Sequence, residues 1–285
     1  MLPVLERYHD PAHEPFVLNG GEDAALLVHG FPGSPAEMRP LAGVLNTAGW
    51  TVHGQLLPGF AREIETLPER THDEWAAAIH AALRELRAGH RRVLLVGHSM
   101  GSALSLRAAV GALAAGCGPD GLILSAPYWR LGSWALPGIW PVLALLGARI
   151  KPFRLLRLDL DRPEIREGIA GWVGDLDFDD PQVRKAILDM ELPVHVFNQL
   201  RLAGKAAWKA APQAGLPTLV IQGLQDAMVS VPYTRRLLAR LPGPLAYVEV
   251  PCDHDLVSDA QPAWPQISAA VREFARQVAQ HADMT

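Results

Sequence analysis

The sequence predicts an α/β fold in which a doubly wound, mainly parallel sheet carries one inserted and largely helical cap. Over most of the 285 residues, short apolar runs alternate with amphipathic stretches, the pattern of parallel strands with helices on both faces. The alternation stops between residues 127 and 212, where prolines punctuate the chain and five of its eight tryptophans lie. A chain of this length, with 49% hydrophobic residues, buries a sizeable core without disulfides or a structural metal.

Before this interruption, strands and helices are expected in turn. The apolar runs predict strands at residues 24–29, 51–57, 92–96 and 121–125. The amphipathic stretches predict helices at residues 34–48, 71–88 and 100–115. Ser34 and Thr71 are the expected N-caps, because Glu37 and Glu74 stand three residues after them in capping-box spacing.

After the interruption, the same alternation resumes. It predicts strands at residues 218–222 and 245–250, and helices at residues 232–241 and 262–281. We therefore assign residues 1–126 and 213–285 to one core domain. Residues 127–212 are expected to form a cap that depends on this core, because all the residues with recognisable chemistry lie outside them.

The run Gly97-His98-Ser99-Met100-Gly101 matches the Gly-x-Ser-x-Gly pattern of a nucleophile elbow. In such an elbow the serine stands at the tip of a sharp, strained turn between a strand and a helix. The residues two positions before and after it must lack side chains, and both are glycine. The pattern lies between a predicted strand and a predicted helix, and we therefore predict Ser99 as a nucleophile.

A serine hydroxyl is a weak nucleophile that needs a general base, and the base needs an acid to orient it. His254 directly follows the last predicted strand, whereas His195 lies inside the insertion and His281 in the C-terminal tail. Asp226 follows the strand that ends at residue 222. Because parallel strands end at the same edge of a sheet, His254 and Asp226 are predicted to meet Ser99 there as base and acid.

Two backbone amides are expected to bind the oxyanion of a tetrahedral intermediate. One is the N–H of Met100, directly after the nucleophile. The second should come from the loop His29-Gly30-Phe31-Pro32-Gly33, which follows the first predicted strand. Proline has no N–H, so Phe31 is the natural donor in this loop, and Gly30 permits the tight turn.

Taken together, these residues resemble the α/β-hydrolase carboxylesterases and bacterial monoacylglycerol lipases. The likeness extends over nearly the whole chain except the insertion, through residues 26–31, 34–35, 38–41, 49–52, 71–75, 97–101, 222–223, 226 and 254. The resemblance implies the α/β-hydrolase fold, a Ser99–Asp226–His254 triad and a Phe31/Met100 oxyanion hole. It also implies hydrolysis of carboxylic esters through an acyl-enzyme, with no cofactor and no metal.

The substrate is expected to be a small-molecule ester with an apolar acyl chain. Trp129, Trp134 and Trp140 give the insertion apolar surface with few charges, although any of them could instead attach the cap to the core. Phe60 is a further candidate for substrate binding, since it stands in a turn where the resembled family often has histidine. Burial of the acyl chain would contribute about 0.8 kcal/mol per methylene.

Composition and charge exclude several other classes of protein. A net charge of −4 provides no basic field for nucleic acid, and two cysteines make neither a disulfide scaffold nor a four-thiolate zinc site. No signal peptide is recognisable, and the apolar stretch 131–150 is interrupted by prolines. We expect a cytoplasmic protein of undetermined oligomeric state, with no stable membrane insertion and transient contact with a lipid interface left open.

Other functions are compatible with the same serine triad. Acyltransferases, carbon–carbon bond hydrolases and cofactor-free haloperoxidases keep it, and so would a ligand receptor with a slow hydrolase site. Fold-level likeness does not choose among them. Haloalkane dehalogenases and epoxide hydrolases use an aspartate nucleophile at the elbow, and Ser99 excludes that route.

Overall fold

The computed structural model describes residues 10–130, 139–151, 154, 160–161, 166 and 177–281. The described strands are β1 (Phe16–Leu18), β2 (Asp23–Val28), β3 (Thr51–Gln55), β4 (Arg92–His98), β5 (Gly121–Ser125), β6 (Arg149–Ile150), β7 (Leu192–Pro193), β8 (Thr218–Gly223) and β9 (Leu245–Val250). Seven of them form one sheet in the order β1-β3-β2-β4-β5-β8-β9. Only β1 pairs antiparallel in this sheet, so the mainly parallel, doubly wound architecture is confirmed.

Helices cover both faces of the sheet. The described helices are α1 (Arg39–Thr47), α2 (His72–Gly89), α3 (Met100–Ala114), α4 (Ile139–Leu145), α5 (Pro181–Asp189), α6 (Val194–Ala210), α7 (Val231–Leu238) and α8 (Trp264–His281). Shorter 3-10 segments lie at Pro11–His13, Pro35–Met38, Ala61–Glu69 and Ala211–Gln213. None of the helices in the described part of the chain is long and apolar enough to cross a membrane.

Burial of the central strands explains why they are continuous apolar runs in the sequence. Every residue of β2, β4, β5 and β8 is buried, as expected of parallel strands covered on both faces. One face packs against α2, α3 and α6, with Trp75, Leu104 and Leu200 in its core. The other face packs against α1 and α8, with Leu41 and Phe274 in its core.

The predicted elements agree with the structure, with differences at some of their ends. The capping box is confirmed at Thr71, whose side chain accepts from the Glu74 amide while the Glu74 carboxylate accepts from the Thr71 amide. At the other predicted cap, Ser34 accepts from the Ala36 amide, and a 3-10 turn precedes α1. There Glu37 reaches away from Ser34 to the preceding loop, which prevents a capping box.

Three short strands were not expected from the sequence. β1 has three residues and lies at the edge of the sheet, while β6 and β7 have two residues each and pair with one another. Segments this short carry too few residues for a periodic pattern. Their pairing is decided by contacts between parts of the chain that are distant in sequence.

The last helix of the predicted cap packs closely on the core. The buried face of α6 contains Val196, Leu200 and Ala203, which belong to the same apolar cluster as the sheet. A side chain at Gly204 would collide with the backbone of Trp129, so α6 lies directly against the chain that leaves β5. The cap boundaries at residues 127 and 212 stay a prediction.

Candidate active site

Four loops meet at the carboxyl edge of the sheet. Ser99 directly follows β4, the loop around Phe31 follows β2, Asp226 follows β8 and His254 follows β9. These strands are parallel, and β2 pairs with β4 while β8 pairs with β9. The order of the strands therefore brings together residues that are up to 223 positions apart in the chain.

The turn at Ser99 has the strained backbone expected of an elbow. Ser99 has φ 52° and ψ −115°, a conformation that residues with side chains rarely adopt. A Cβ on Gly97 would lie 2.5 Å from the Gly101 carbonyl oxygen, and one on Gly101 would overlap the Val28 carbonyl. Both glycines are thus required by close backbone approach. The Ser99 amide donates to the Ser125 carbonyl at 2.8 Å, which ties the turn to β5.

Ser99, His254 and Asp226 form one chain of hydrogen bonds. The distance from His254 Nε2 to Ser99 Oγ is 2.9 Å, and that from His254 Nδ1 to Asp226 Oδ2 is 2.7 Å. The Asp226 side chain is fully buried, whereas the His254 side chain is 16% exposed. The structure thus brings the predicted nucleophile, base and acid within direct contact of each other.

Asp226 is fixed by donors on both of its oxygens. Oδ1 accepts from the amides of Met228 and Val229 at 2.8 and 2.7 Å. Oδ2 lies 3.3 Å from Nε2 of Gln222, a buried side chain whose Oε1 accepts from Thr234 at 2.6 Å. Sequence reasoning missed this support by Gln222 and Thr234, because the two residues stand on different elements and share no spacing motif.

The two predicted oxyanion donors are unpaired in the part of the chain that the structure describes. The amides of Phe31 and Met100 both lack an acceptor there. Met100 is the first residue of α3, where the amides of a helix have no partner within the helix. By contrast, the Gly30 amide in the same loop donates to Glu37 Oε1 at 2.5 Å.

Glu37, which the sequence predicts to cap a helix together with Ser34, instead contacts the loop beside the site. Desolvation raises the pKa of its carboxyl to about 7, with a smaller upward contribution from the nearby charge of Asp255. The Gly30 amide and His254 act in the opposite direction. Its spacing from Ser34 indicated a helix cap, and only the folded loop reveals the contact with Gly30.

Two buried histidines next to the site are held uncharged. Burial lowers the pKa of His29 to about 4, and it lowers the pKa of His98 well below the ordinary value. The His29 ring donates from Nδ1 to the Gly30 carbonyl and accepts the Leu57 amide at Nε2. The His98 ring packs against that of His254, with their centres 5.1 Å apart. His29 thus holds the Gly30 loop by hydrogen bonds, while His98 packs against His254.

The residues predicted to bind the substrate have mixed surroundings. Phe60 is fully buried and packs edge-to-face on His29 and Phe31. Trp129 is partly buried, stacks on Trp208 at 4.2 Å between ring centres, and donates from Nε1 to the Tyr233 carbonyl. Trp134 lies outside the described residues, and for Trp140 the structure describes the helix but not the side chain. Substrate contact by these four residues stays a prediction.

The chemistry available at this site is proton transfer and nucleophilic attack. Hydrogen bonds join a serine hydroxyl, an imidazole and a carboxylate, and the amides of Phe31 and Met100 in the adjoining loops lack an acceptor among the described residues. In the described ranges, no group of three or more His, Cys, Asp or Glu side chains is arranged to hold a metal ion.

The chain belongs to the alpha/beta hydrolase family, whose model matches residues 25–275. Over 93 residues it is 37% identical to a thermostable monoacylglycerol lipase from Bacillus sp. (strain H-257), a segment that covers 33% of this chain and 37% of that protein. Over 95 residues it is 32% identical to a carboxylesterase from Bacillus subtilis (strain 168), covering 33% of this chain and 39% of the relative. The matches thus span less than half of either relative.

A solved structure supports the fold over almost the full length. It is that of a metagenome-derived lipolytic enzyme, with a TM-score of 0.68 and 23% sequence identity. The superposition covers 94% of this chain and 98% of the other. The predicted alpha/beta hydrolase fold is therefore confirmed.

Proposed function

We propose that this protein is a serine hydrolase that cleaves carboxylic esters through an acyl-enzyme on Ser99. The observation that carries the proposal is the continuous hydrogen-bonded chain from Ser99 through His254 to Asp226. Membership of the alpha/beta hydrolase family and the partial similarity to a monoacylglycerol lipase and a carboxylesterase support it.

In the acylation step, Ser99 Oγ attacks the ester carbonyl while His254 Nε2 takes its proton. Asp226 holds Nδ1–H of the imidazole, which keeps Nε2 free to act as a base and stabilises the imidazolium that forms. The carbonyl oxygen becomes an oxyanion and accepts from the amides of Phe31 and Met100. His254 then gives its proton to the leaving alcohol, and the acyl group remains on Ser99.

In the deacylation step, a water molecule takes the place of the alcohol. His254 removes a proton from the water while the water oxygen attacks the carbonyl carbon of the acyl-enzyme. The amides of Phe31 and Met100 bind the second oxyanion. Breaking the bond to Ser99 Oγ releases the carboxylic acid, and the proton on His254 returns to the serine. Each proton that is taken up is thus returned within one cycle.

An uncharged ester with an apolar acyl chain suits the surroundings of the site. Leu224 and Met228, which flank Asp226 in the same loop, are 53% and 60% exposed. Helix α4, which we propose to be part of a cap over the site, exposes further apolar side chains at Val142 and Leu145. Covering such surface with an acyl chain is favourable by about 25 cal/mol per Å².

Substitution of the nucleophile tests the proposal. Ser99→Ala should lower kcat/KM for p-nitrophenyl butyrate and for monoacylglycerols by about 10⁴-fold or more, because no other group replaces the attacking oxygen. The measurement is the steady-state rate of the purified variant at equal protein concentration, corrected for spontaneous hydrolysis.

Ser105→Ala is a matched control on the same helix. Ser105 lies in α3, is buried, and has no hydrogen-bond partner for its Oγ among the residues described. Its loss should leave the rate within about twofold of the wild type, since the change touches no part of the proposed machinery. Turnover by Ser99→Ala at the rate of Ser105→Ala would disprove the proposed nucleophile.

A further inference from the structure

We propose that Glu37 is a positioning residue for the oxyanion hole: its carboxyl group holds the Gly30 amide, and this orients the next amide, that of Phe31, toward the substrate. The inference rests on the proposed function of the site. Neither the elbow motif nor the triad requires a glutamate at this position, so the role is specific to the contacts of this chain.

The first line of evidence is the way in which the loop encloses the carboxyl group. Glu37 Oε1 accepts from the Gly30 amide at 2.5 Å. The Gly33 amide donates to the Gly30 carbonyl at 3.1 Å, which closes the loop into a turn. A Cβ on Gly33 would overlap Glu37 Oε2, so the second oxygen also lies directly against this turn.

The second line of evidence is the distance to the nucleophile. A Cβ on Gly30 would lie 3.3 Å from Glu37 Oε1 and 3.3 Å from Ser99 Cβ. The carboxyl oxygen and the nucleophilic residue therefore flank the same glycine. The His98 ring lies at the same position, at 3.2 Å, so a change in how Glu37 holds Gly30 acts directly on the groups beside Ser99.

The Gly30 amide is paired with Glu37, whereas the next amide, that of Phe31, is available to bind the substrate. In this loop Gly30 donates to Glu37, Pro32 has no N–H and Gly33 donates to Gly30, while the Phe31 amide has no acceptor within the described residues. Glycine has wide backbone freedom, so the peptide before Gly30 could rotate if its N–H lost this acceptor. Glu37 removes that freedom and leaves Phe31 as the donor that faces the site.

The role requires an acceptor oxygen and does not require a negative charge. The ionisable groups that act on the Glu37 carboxyl are Asp255, which repels it, and His254, which attracts it when protonated. With a pKa of about 7, the carboxyl is present in both forms near neutral pH. Either form offers an oxygen to the Gly30 amide, and so does the side-chain amide of glutamine.

The test compares Glu37→Gln, Glu37→Met and Glu37→Asp with the wild type. Glutamine keeps an acceptor at the same reach, methionine removes it, and aspartate keeps the charge but is one methylene shorter. We expect Glu37→Met and Glu37→Asp to lower kcat by about 10-fold or more with KM within about threefold, because a displaced donor weakens binding of the oxyanion. Glu37→Gln should stay within about threefold of the wild type.

A second readout separates positioning from general damage to the fold. The inhibition constant of a trifluoromethyl ketone, whose adduct with the serine carries an oxyanion, should rise in proportion to the loss of kcat. Labelling with a fluorophosphonate counts the correctly folded sites, so each rate is expressed per reactive serine. If Glu37→Met fails to fold, the comparison of Glu37→Asp with Glu37→Gln still decides the question.

Glu74→Met is the matched control. Glu74 also accepts a backbone amide, that of Thr71 at 2.7 Å, but it does so at the exposed start of α2. Its loss should leave kcat and the inhibition constant unchanged. Equal kcat for Glu37→Met and the wild type would overturn the inference, as would equal losses in Glu37→Gln and Glu37→Met. An inactive wild type, or activity that survives Ser99→Ala, would instead refute the proposed function.

Discussion

Two carboxyl groups near His254 occupy contrasting environments at the scale of single residues. Asp226 is fully buried, but its oxygens accept from two backbone amides and from the imidazole. Glu37 accepts one amide, loses most of its hydration and is repelled by Asp255. Desolvation and the nearby like charge favour the protonated form of the Glu37 carboxyl. A carboxyl group is therefore suited to orient His254 at position 226 and to hold the Gly30 loop at position 37.

The raised pKa of Glu37 predicts how the stability of the wild type depends on pH. The native state binds this proton more tightly than the unfolded chain, so the favourable contribution is complete below about pH 4.5 and is lost as the pH rises to about 7. Glu37→Gln removes the titrating group. Its free energy of unfolding relative to the wild type should therefore increase between pH 4.5 and pH 8.

Urea denaturation of both proteins across this range measures the effect. Other carboxyls, such as Asp73 and Glu273, have lowered pKa values, so their contribution to stability grows as the pH rises. Both proteins contain these groups, so the difference between their free energies of unfolding isolates the effect of Glu37. A difference that is constant with pH would contradict the raised pKa of Glu37.

The turn between β4 and α3 shows the main constraint at the scale of an element. The turn bends so sharply that Gly97 approaches the Gly101 carbonyl and Gly101 approaches the carbonyl groups of Val28 and His29. These neighbours are backbone atoms, which cannot rotate away as a side chain could. Gly97 and Gly101 therefore permit two things: the close packing of β2, β4 and α3, and the sharp turn at Ser99.

Gly101→Ala should destabilise the protein by about 1–3 kcal/mol, because the added methyl group must push β2 and α3 apart. It should also lower kcat, since the loop that carries Phe31 follows β2 directly. The measurements are the free energy of unfolding in urea and the rate of ester hydrolysis.

Gly111→Ala in the same helix is the control. A Cβ on Gly111 would meet nothing within 4 Å, so the only effect is the better helix propensity of alanine. We expect this variant to gain about 0.5–1 kcal/mol in stability and to keep its activity. Similar destabilisation by the two substitutions would mean that backbone contact at Gly101 is not the cause.

The arrangement of the insertion matters at the scale of the whole molecule. The last helix of the predicted cap, α6, packs against α3, which begins at the residue after Ser99. At the same time, α4 contacts α6 and exposes Leu145 and Leu146. Helix α6 thus packs on the core, while α4, which contacts α6, presents apolar side chains to its surroundings.

We expect this apolar surface to appear in the substrate profile. For p-nitrophenyl esters, kcat/KM should rise from acetate through butyrate to octanoate by up to about fourfold per added methylene, the factor that corresponds to about 0.8 kcal/mol. Ser99→Ala measured with the same series provides the background. A profile that falls steadily from acetate would show that no apolar acyl site is formed.

Much of the fold follows from local patterns. The strands at residues 121–125 and 245–250 have the predicted bounds, because apolar runs between turn signals leave little choice about where a strand begins and ends. The capping box at Thr71 involves residues three apart, so it is complete within one turn of helix. The elbow is equally local, since its glycines stand within two residues of Ser99.

The sequence by itself determined the alternation of strands and helices, and it predicts Ser99 as the nucleophile with Asp226 and His254 following it as acid and base. Each of these depends on neighbouring residues or on the rule that parallel strands end at one edge. Only the tertiary structure decided that Glu37 holds Gly30, that Gln222 contacts Asp226 and that α6 packs against α3. These contacts join separate parts of the chain, and they form only when folding brings those parts together and removes their polar groups from water.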